Sequence, residues 1–419
     1  MPVVGRHNRH RASLLLAACA LAVCGITARG DLGAAPAPPE TETRALLVER
    51  LSLVSPAALE ATVAAAQALR FNTLMVDARA LGELYFNQGL EPRAAALASQ
   101  AASFDPLAAV LTIAHARGLR VHARVSVTLV ASPADLPTAP GHLINAHPER
   151  LMVPRPLARD LTLLDPGGQL FFDRLLRWTR AQPGDSGGLY ASPVSDEAAD
   201  AIVSLVADLA ARYPVDGIHL DDVAYPTAEF DYSRAALEAF RAEVLGTLAP
   251  QARREREREI GADLTAWPEA IPDRWAAFRR DRLTALVSRI RRSIKMRRPG
   301  AIVSGAVATA SAAAGTRHFQ DWRAWSEKRL LDVVCPAPDT MDAGSFAEQI
   351  AEARKGAGDN PVWVSIGAFR VSASEAVGRI QTARQLGAQG IIIGPYGSLV
   401  SPPDGLDYLT RVARAAFAP

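Results

Sequence analysis

Short apolar, strand-like runs alternate with stretches of helical period eight times along this 419-residue chain, and that alternation restricts it to a parallel sheet with crossover helices. The predicted strands are Leu46 to Leu53, Thr73 to Arg79, Leu119 to Leu129, Val215 to Asp222, Ala301 to Val307, Leu331 to Cys335, Val362 to Ile366 and Gly390 to Ile393. Helices are predicted at Pro56 to Leu69, Asp105 to Arg117 and Asp196 to Arg212, then in a helical region reaching about Arg298, and near Ser345, Ser374 and Gly405. Eight such units close a (β/α)8 barrel, which needs about 250 residues in its plain form. The surplus goes into long insertions after strands three and four. The first, Ala131 to Gly188, is rich in Pro, Gly and His and lies on the face where such barrels carry their chemistry.

The chain opens differently. Arg6-His7-Asn8-Arg9-His10-Arg11 precedes the apolar run Ala12 to Ala28, which is the order of a secretory signal, so export to the periplasm or beyond is expected. Leu16-Ala17-Ala18-Cys19 has the form of a lipoprotein box and Leu21-Ala22-Val23-Cys24 that of a poorer one. Lipidation at a cysteine and plain cleavage near Ala28 therefore stay open alternatives, as does an uncleaved anchor. Residues 1–30 read as leader, 31–43 as a Pro- and Ala-rich spacer and 44–419 as the barrel. Only Cys335 lies in the body, so no disulfide forms within it. The net charge of +2 includes four leader arginines, which leaves the remainder at −2. A nearly neutral body argues against a nucleic-acid partner, and the sign-alternating Arg253 to Glu259 reads as a solvated helix.

Strand alternation singles out side chains that would line the barrel. In Gly217-Ile218-His219-Leu220-Asp221-Asp222, His219 and Asp221 share the face opposite Ile218 and Leu220, with Asp221 at the carboxyl end, whereas Asp222 faces out or joins the loop. His122, Arg124 and Ser126 share one face of strand three. Asp77 and Arg79 share a face of strand two and form a candidate ion pair. Asp339 follows strand six, Trp363 lies on strand seven where it either stacks on a sugar or fills the core, and Tyr225 follows strand four. Two carboxylates across a barrel mouth are what glycoside hydrolysis needs. Asp221 is then nucleophile or base, Asp339 and Asp222 are the first candidates for the acid, and Asp77 or Glu83 the next. His219 and Arg79 are expected to orient substrate or carboxylate, with Asp77, His122, Arg124, Ser126, Tyr225 and Trp363 as substrate contacts. No metal or cofactor is expected, because the chain has no HExxH, CxxC, phosphate loop or GxSxG elbow.

Five separated motifs occur in an order that resembles the glycosyl-hydrolase-like family 10 proteins: Phe71 to Val76, Asp105-Pro106-Leu107 with His115 to Ala123, Leu164 to Gly167, Val215 to Asp221, and Trp325 with Asp332 to Pro336. The resemblance spans roughly Arg44 to Pro419. It implies a (β/α)8 barrel, secreted or lipid-anchored in bacteria, and some members resemble enzymes that cut peptidoglycan glycan strands lacking stem peptides. It carries the family's strand-four aspartate onto Asp221 and the preceding histidine onto His219. After strand six the family's usual Met-x-Tyr-Thr is replaced by Ala337-Pro338-Asp339-Thr340. The expectation is an exported glycoside hydrolase with a glycan partner. The alternative is a noncatalytic glycan-binding barrel that has lost part of the catalytic set.

Overall fold

The computed structural model describes residues 42–182, 184, 187–309, 315–401 and 405–417. The expected leader and nearly all of the expected spacer lie outside them. The described residues belong to one compact unit, Ala35–Pro419.

Eight parallel strands form the expected barrel: β1 Thr43–Val48, β2 Thr73–Ala80, β3 Arg120–Ser126, β4 Gly217–Asp221, β5 Ile302–Val307, β6 Val333–Pro336, β7 Trp363–Gly367 and β8 Gly390–Gly394. Their hydrogen-bonded order is β7-β8-β1-β2-β3-β4-β5-β6. The ring nearly closes through a single parallel bridge between Val334 and Val362, where the Val334 amide donates to the Pro361 carbonyl at 3.0 Å. Strand β1 begins three residues earlier than its apolar run suggested.

Both faces of the strands are buried, as helix-covered parallel sheets require. The outward side chains Val76, Val121, Ala123, Ile218, Leu220, Val303, Val364 and Ile391 pack under the helices. Inward, Ala45, Met75, Val333, Cys335, Trp363 and Ile392 fill the lower barrel.

The outer helices are α1 Pro56–Ala68, α2 Pro106–Ala116, α3 Asp196–Arg212, α4 Pro272–Arg297, α5 Trp322–Glu327, α6 Ala343–Gly356, α7 Ala373–Gln385 and α8 Asp407–Ala416. Their starts are written locally. Ser55 and Asp105 accept the amides of Ala58 and Ala108 at 3.2 and 2.9 Å, each before a proline at the first helical position. Ser372 and Glu375 form a capping box on α7.

The two insertions stand on the carboxyl-end face. The first carries an antiparallel ribbon, Leu129–Ala131 with Leu189–Tyr190, and helices Leu143–Ala146, Arg155–Leu161 and Gln169–Ala181 around its own apolar cluster of Val130, Ile144, Leu151, Phe171 and Leu175. The second carries helices Arg234–Gly246, Pro250–Ile260 and Ala266–Ala270, held by Phe240, Trp267, Trp275 and Phe278. Helix Pro250–Ile260 buries no side chain, in keeping with its alternating charges. Buried Asp231 ties the insertions together by accepting the Val153 amide at 3.0 Å, while the Tyr232 amide donates to the Val153 carbonyl at 2.8 Å. Among the described residues no helix is long and apolar enough to cross a membrane.

Candidate active site

The site follows from the register of three strands. Asp77 of β2 lies beside Arg124 of β3, Arg124 beside His219 of β4, and Ser126 beside Asp221. Alternation turns all of these inward at the carboxyl end. Arg124 occupies the centre. Its Nε donates to Asp221 Oδ2 at 2.6 Å, its Nη2 reaches the same oxygen, and its Nη1 donates to Asp77 Oδ1 at 2.5 Å. The other oxygen of Asp77 accepts the Arg50 amide at 2.9 Å. Two carboxylates thus share one guanidinium, whose fixed fork suits such bridging.

Asp222 is the consequential departure from the sequence reading. It lies just past β4, in the loop as the sequence allowed, but it does not face out. Its backbone is left-handed, with φ of 51°, and its side chain turns back onto β3, where Oδ2 lies 2.5 Å from Ser126 Oγ. The Asp222 amide donates to Asp221 Oδ1 at 3.0 Å, and the Thr128 amide donates to the Asp222 carbonyl at 3.2 Å. Left-handed backbone is uncommon for a residue other than glycine, and aspartate is among the types that tolerate it.

The adjacent carboxyls are driven apart. Burial pushes Asp221 up, but Arg124 foremost, with His219 and the Asp222 amide, more than offsets it and holds the carboxyl below its ordinary range. Asp222 is pushed up to about 6 by burial and by the charge of Asp221, against the opposing pull of Ser126 and Arg124. Arg124 remains charged, because Asp221, Asp77 and Asp222 outweigh its burial. Below about pH 6 the arrangement holds one ionised and one proton-bearing carboxyl side by side, a pairing that can serve acid–base chemistry.

His219 sits under Asp221. Burial lowers it to about 4, so it is neutral, and its Nδ1 lies 3.0 Å from Ser304 Oγ.

Several candidates sit away from this group. The expected Asp77–Arg79 pair does not form, because a register shift between these residues turns Arg79 aside. Arg79 instead donates to Glu91 at 2.5 and 2.6 Å and to the Ser126 carbonyl, bracing the end of β3. Asp339 is 80% exposed and paired with Arg370, away from the Arg124 cluster. Trp363 is 4% exposed and faces His122 inside the barrel, with ring centroids 5.4 Å apart, so it fills the core and is no sugar platform. His122 is wholly buried and lowered to about 3 by burial first, hence neutral. Tyr225 is wholly buried, edge-on to Phe319 at 5.5 Å, out of reach of a polysaccharide. Glu83 is occupied in accepting the Ala95 amide at 3.1 Å.

Three participants escaped the sequence reading. Arg50 contributes a backbone amide, Leu129 a carbonyl at 3.0 Å from Ser126 Oγ, and Glu91 comes from an irregular loop. The first two have no side-chain signature at all. Among the described residues no group of three or more His, Cys, Asp or Glu side chains is placed to hold a metal ion.

Comparison with known proteins bears on the family and the barrel. The glycosyl hydrolase-like 10 family model matches residues 46–379. Glycosyl hydrolase DigH of Escherichia coli K12 is 25% identical over 260 residues, which are 56% of this chain and 46% of that protein, so the match spans about half of that relative's length. Among solved structures, the glycoside hydrolase domain of PgaB (BpsB) from Bordetella bronchiseptica superposes with a TM-score of 0.60 at 17% identity, covering 89% of this chain and 99% of that one. A β-galactosidase from Bacillus circulans sp. alkalophilus superposes with a TM-score of 0.61 at 11% identity, over 89% and 56%. At such identities the structural matches establish a shared barrel. With four-fifths of its length matched by the family model, the chain belongs to the glycosyl hydrolase-like 10 family.

Proposed function

We propose that this chain is an exported glycoside hydrolase acting on a cell-envelope or extracellular polysaccharide, with peptide-free peptidoglycan strands as the first substrate to test. The observation that carries the reading is the split between Asp221, held ionised by Arg124, and Asp222, pushed up to about 6 beside it. Asp222 gives its proton to the leaving glycosidic oxygen, and the Asp221 carboxylate stabilises the positive charge that develops at the sugar. Arg124 and His219 orient Asp221. Export is supported by the basic-then-apolar start of the sequence, and the glycan class by the family and by the name of the relative from Escherichia coli.

A second reading, a glycan-binding barrel without turnover, draws on one observation: both Asp77 and Asp221 are neutralised by the same guanidinium. The deciding experiment incubates the protein with peptide-free glycan strands and a panel of bacterial polysaccharides and reads new oligosaccharides by mass spectrometry, beside Asp222→Asn. Products from the wild type and none from the variant support the hydrolase. Retained binding with no product from any glycan favours the second reading.

A further inference from the structure

Glycosidases that employ two carboxyls usually set them about 5 to 9.5 Å apart across the scissile bond, one protonating the leaving oxygen while the other, or a water it activates, reaches the anomeric carbon from behind. Asp221 and Asp222 do not come from facing strands of the barrel. They are consecutive, and both lean on the end of β3, Asp221 through Arg124 Nε at 2.6 Å and Asp222 through Ser126 Oγ at 2.5 Å. A pair on one strand end attends one side of the bond.

The other carboxyls of this face are committed elsewhere. Asp77 is 4% exposed and accepts from both Arg124 and the Arg50 amide. Glu83 caps a short helical turn through the Ala95 amide, and Asp339 is paired in solvent with Arg370. Glu49, just past β1, is pushed towards its neutral form first by burial. Asp221 itself is a weak nucleophile. Its Oδ2 receives two N–H groups of Arg124 and its Oδ1 the Asp222 amide, which fills three of the roughly four acceptor sites of a carboxylate. One acceptor site on Oδ1 is left over, on a side chain that is 18% exposed. That remainder suits a single N–H donor from a bound sugar better than attack on carbon.

We propose that the nucleophile is the substrate's own 2-acetamido oxygen, so that the chain cleaves β-linked 2-acetamido-2-deoxy sugars by neighbouring-group participation. This inference rests on the hydrolase reading above and supplies an attacking group in place of Asp221, whose acceptor sites are largely filled. The acetamido carbonyl oxygen bonds to the anomeric carbon as the bond from that carbon to the leaving oxygen breaks, and the leaving oxygen takes the Asp222 proton. Asp221 accepts the amide N–H and so fixes the carbonyl beneath the ring while the cyclic oxazolinium cation forms. Water then loses a proton to Asp222, its hydroxyl bonds to the anomeric carbon, and the ring C–O bond breaks to restore the acetamide. Attack from behind occurs twice, so the configuration is retained, and the first attack requires the leaving group and the acetamido group to be trans.

The test uses the full chain and three sets of probes: peptide-free peptidoglycan strands, β-1,4 oligomers of N-acetylglucosamine, and the same oligomers either de-N-acetylated or carrying N-trifluoroacetyl groups. Proton NMR follows the anomer first formed, and the bicyclic thiazoline of N-acetylglucosamine serves as a stable mimic of the cyclic intermediate. The expected outcome is retention, competitive inhibition by the thiazoline, no cleavage of de-N-acetylated oligomers, and a roughly 100-fold slower reaction for the trifluoroacetyl series, whose carbonyl is the poorer nucleophile. Inversion, a sugar covalently attached to a protein carboxyl, or equal cleavage of the de-N-acetylated oligomers would overturn this inference and leave the hydrolase standing. Failure to cleave any of these glycans or a wider polysaccharide panel would overturn both.

Discussion

The hydroxyl of Ser126 lies 2.5 Å from Oδ2 of Asp222 and 3.0 Å from the carbonyl oxygen of Leu129. Ser126 is the donor in both contacts, and its hydrogen bond to Asp222 favours the ionised carboxylate. Burial and the charge of Asp221 outweigh that pull and push Asp222 up to about 6, so it carries a proton in mildly acidic solution. If Asp222 is the general acid, hydrolysis declines as pH rises through about 6, and Asp222→Asn lowers kcat by roughly 10²- to 10⁴-fold. A pH profile of kcat/KM checks the first, and an unchanged kcat in the variant would remove Asp222 from the chemistry.

The charge of Asp221 is one reason Asp222 holds its proton, second to burial. Asp221→Asn removes a negative neighbour, which makes ionisation of Asp222 easier, so the Asp222 midpoint should move below about 6. Carbon-13 NMR titration of the carboxyl groups reads this directly and does not depend on activity. A midpoint that stays in place would assign the whole shift to burial.

Arg124 bridges two carboxylates with only 23% of its side chain exposed. Removing it leaves Asp77, 4% exposed, without its charged partner, and breaking such a buried pair typically costs about 3 to 5 kcal/mol. Arg124→Met should approach that loss in urea unfolding, and adding Asp77→Asn should recover part of it by discharging the stranded carboxyl. A single variant as stable as the wild type would mean that water replaces the guanidinium at no cost.

The parts of this site that were legible in the sequence are those governed by alternation along one strand. His219 with Asp221, and Arg124 with Ser126, point inward as their spacing demands, and the outward residues Ile218 and Leu220 lie under the helices. What was illegible arises between strands or from single backbone angles. The Arg124–Asp77 pair depends on the register of β3 against β2, and a shift at Asp77/Arg79 sends Arg79 to Glu91. Asp222 depends on one left-handed φ. Helix α5 spans six residues, too few to show a period in the sequence. For Trp363 a core position is the default reading of the sequence and a sugar platform the alternative, and its burial bears out the core.

That burial makes Trp363 a stability residue. Its indole ring lies so close to Gly390 of β8 that a Cβ built on the glycine would stand 2.4 Å from the ring, tighter than packed carbons tolerate. Gly390→Ala should therefore cost about 1 to 3 kcal/mol by overpacking, and Trp363→Ala about 3 to 5 kcal/mol through the cavity it leaves. Glycan KM should be unchanged in either variant that still folds. A rise in KM for Trp363→Ala with unaltered stability would return the ring to the substrate groove.

At the opposite end of the barrel Asp332 joins β5, β6 and α4. It accepts from the Val303 amide at 2.9 Å and from Arg291 at 2.8 Å, and Lys295 lies 2.7 Å away. Burial pushes this carboxyl up, but Lys295, the Val303 amide and Arg291 together hold it below its ordinary value. A carboxyl depressed in the folded state adds stability that is fully present above the unfolded pKa of about 4 and disappears as pH falls through the folded value. Asp332→Asn should thus cost on the order of 2 kcal/mol near neutral pH, because it leaves two cations facing an uncharged amide. The gap to the wild type should begin to close as pH falls below the unfolded pKa of about 4 and be gone once pH has passed below the lower, folded value. Urea unfolding of both proteins across that range tests the sign: a gap that widens on acidification would mean that the folded value lies above the unfolded one, and the ion-pair account of this corner would fail.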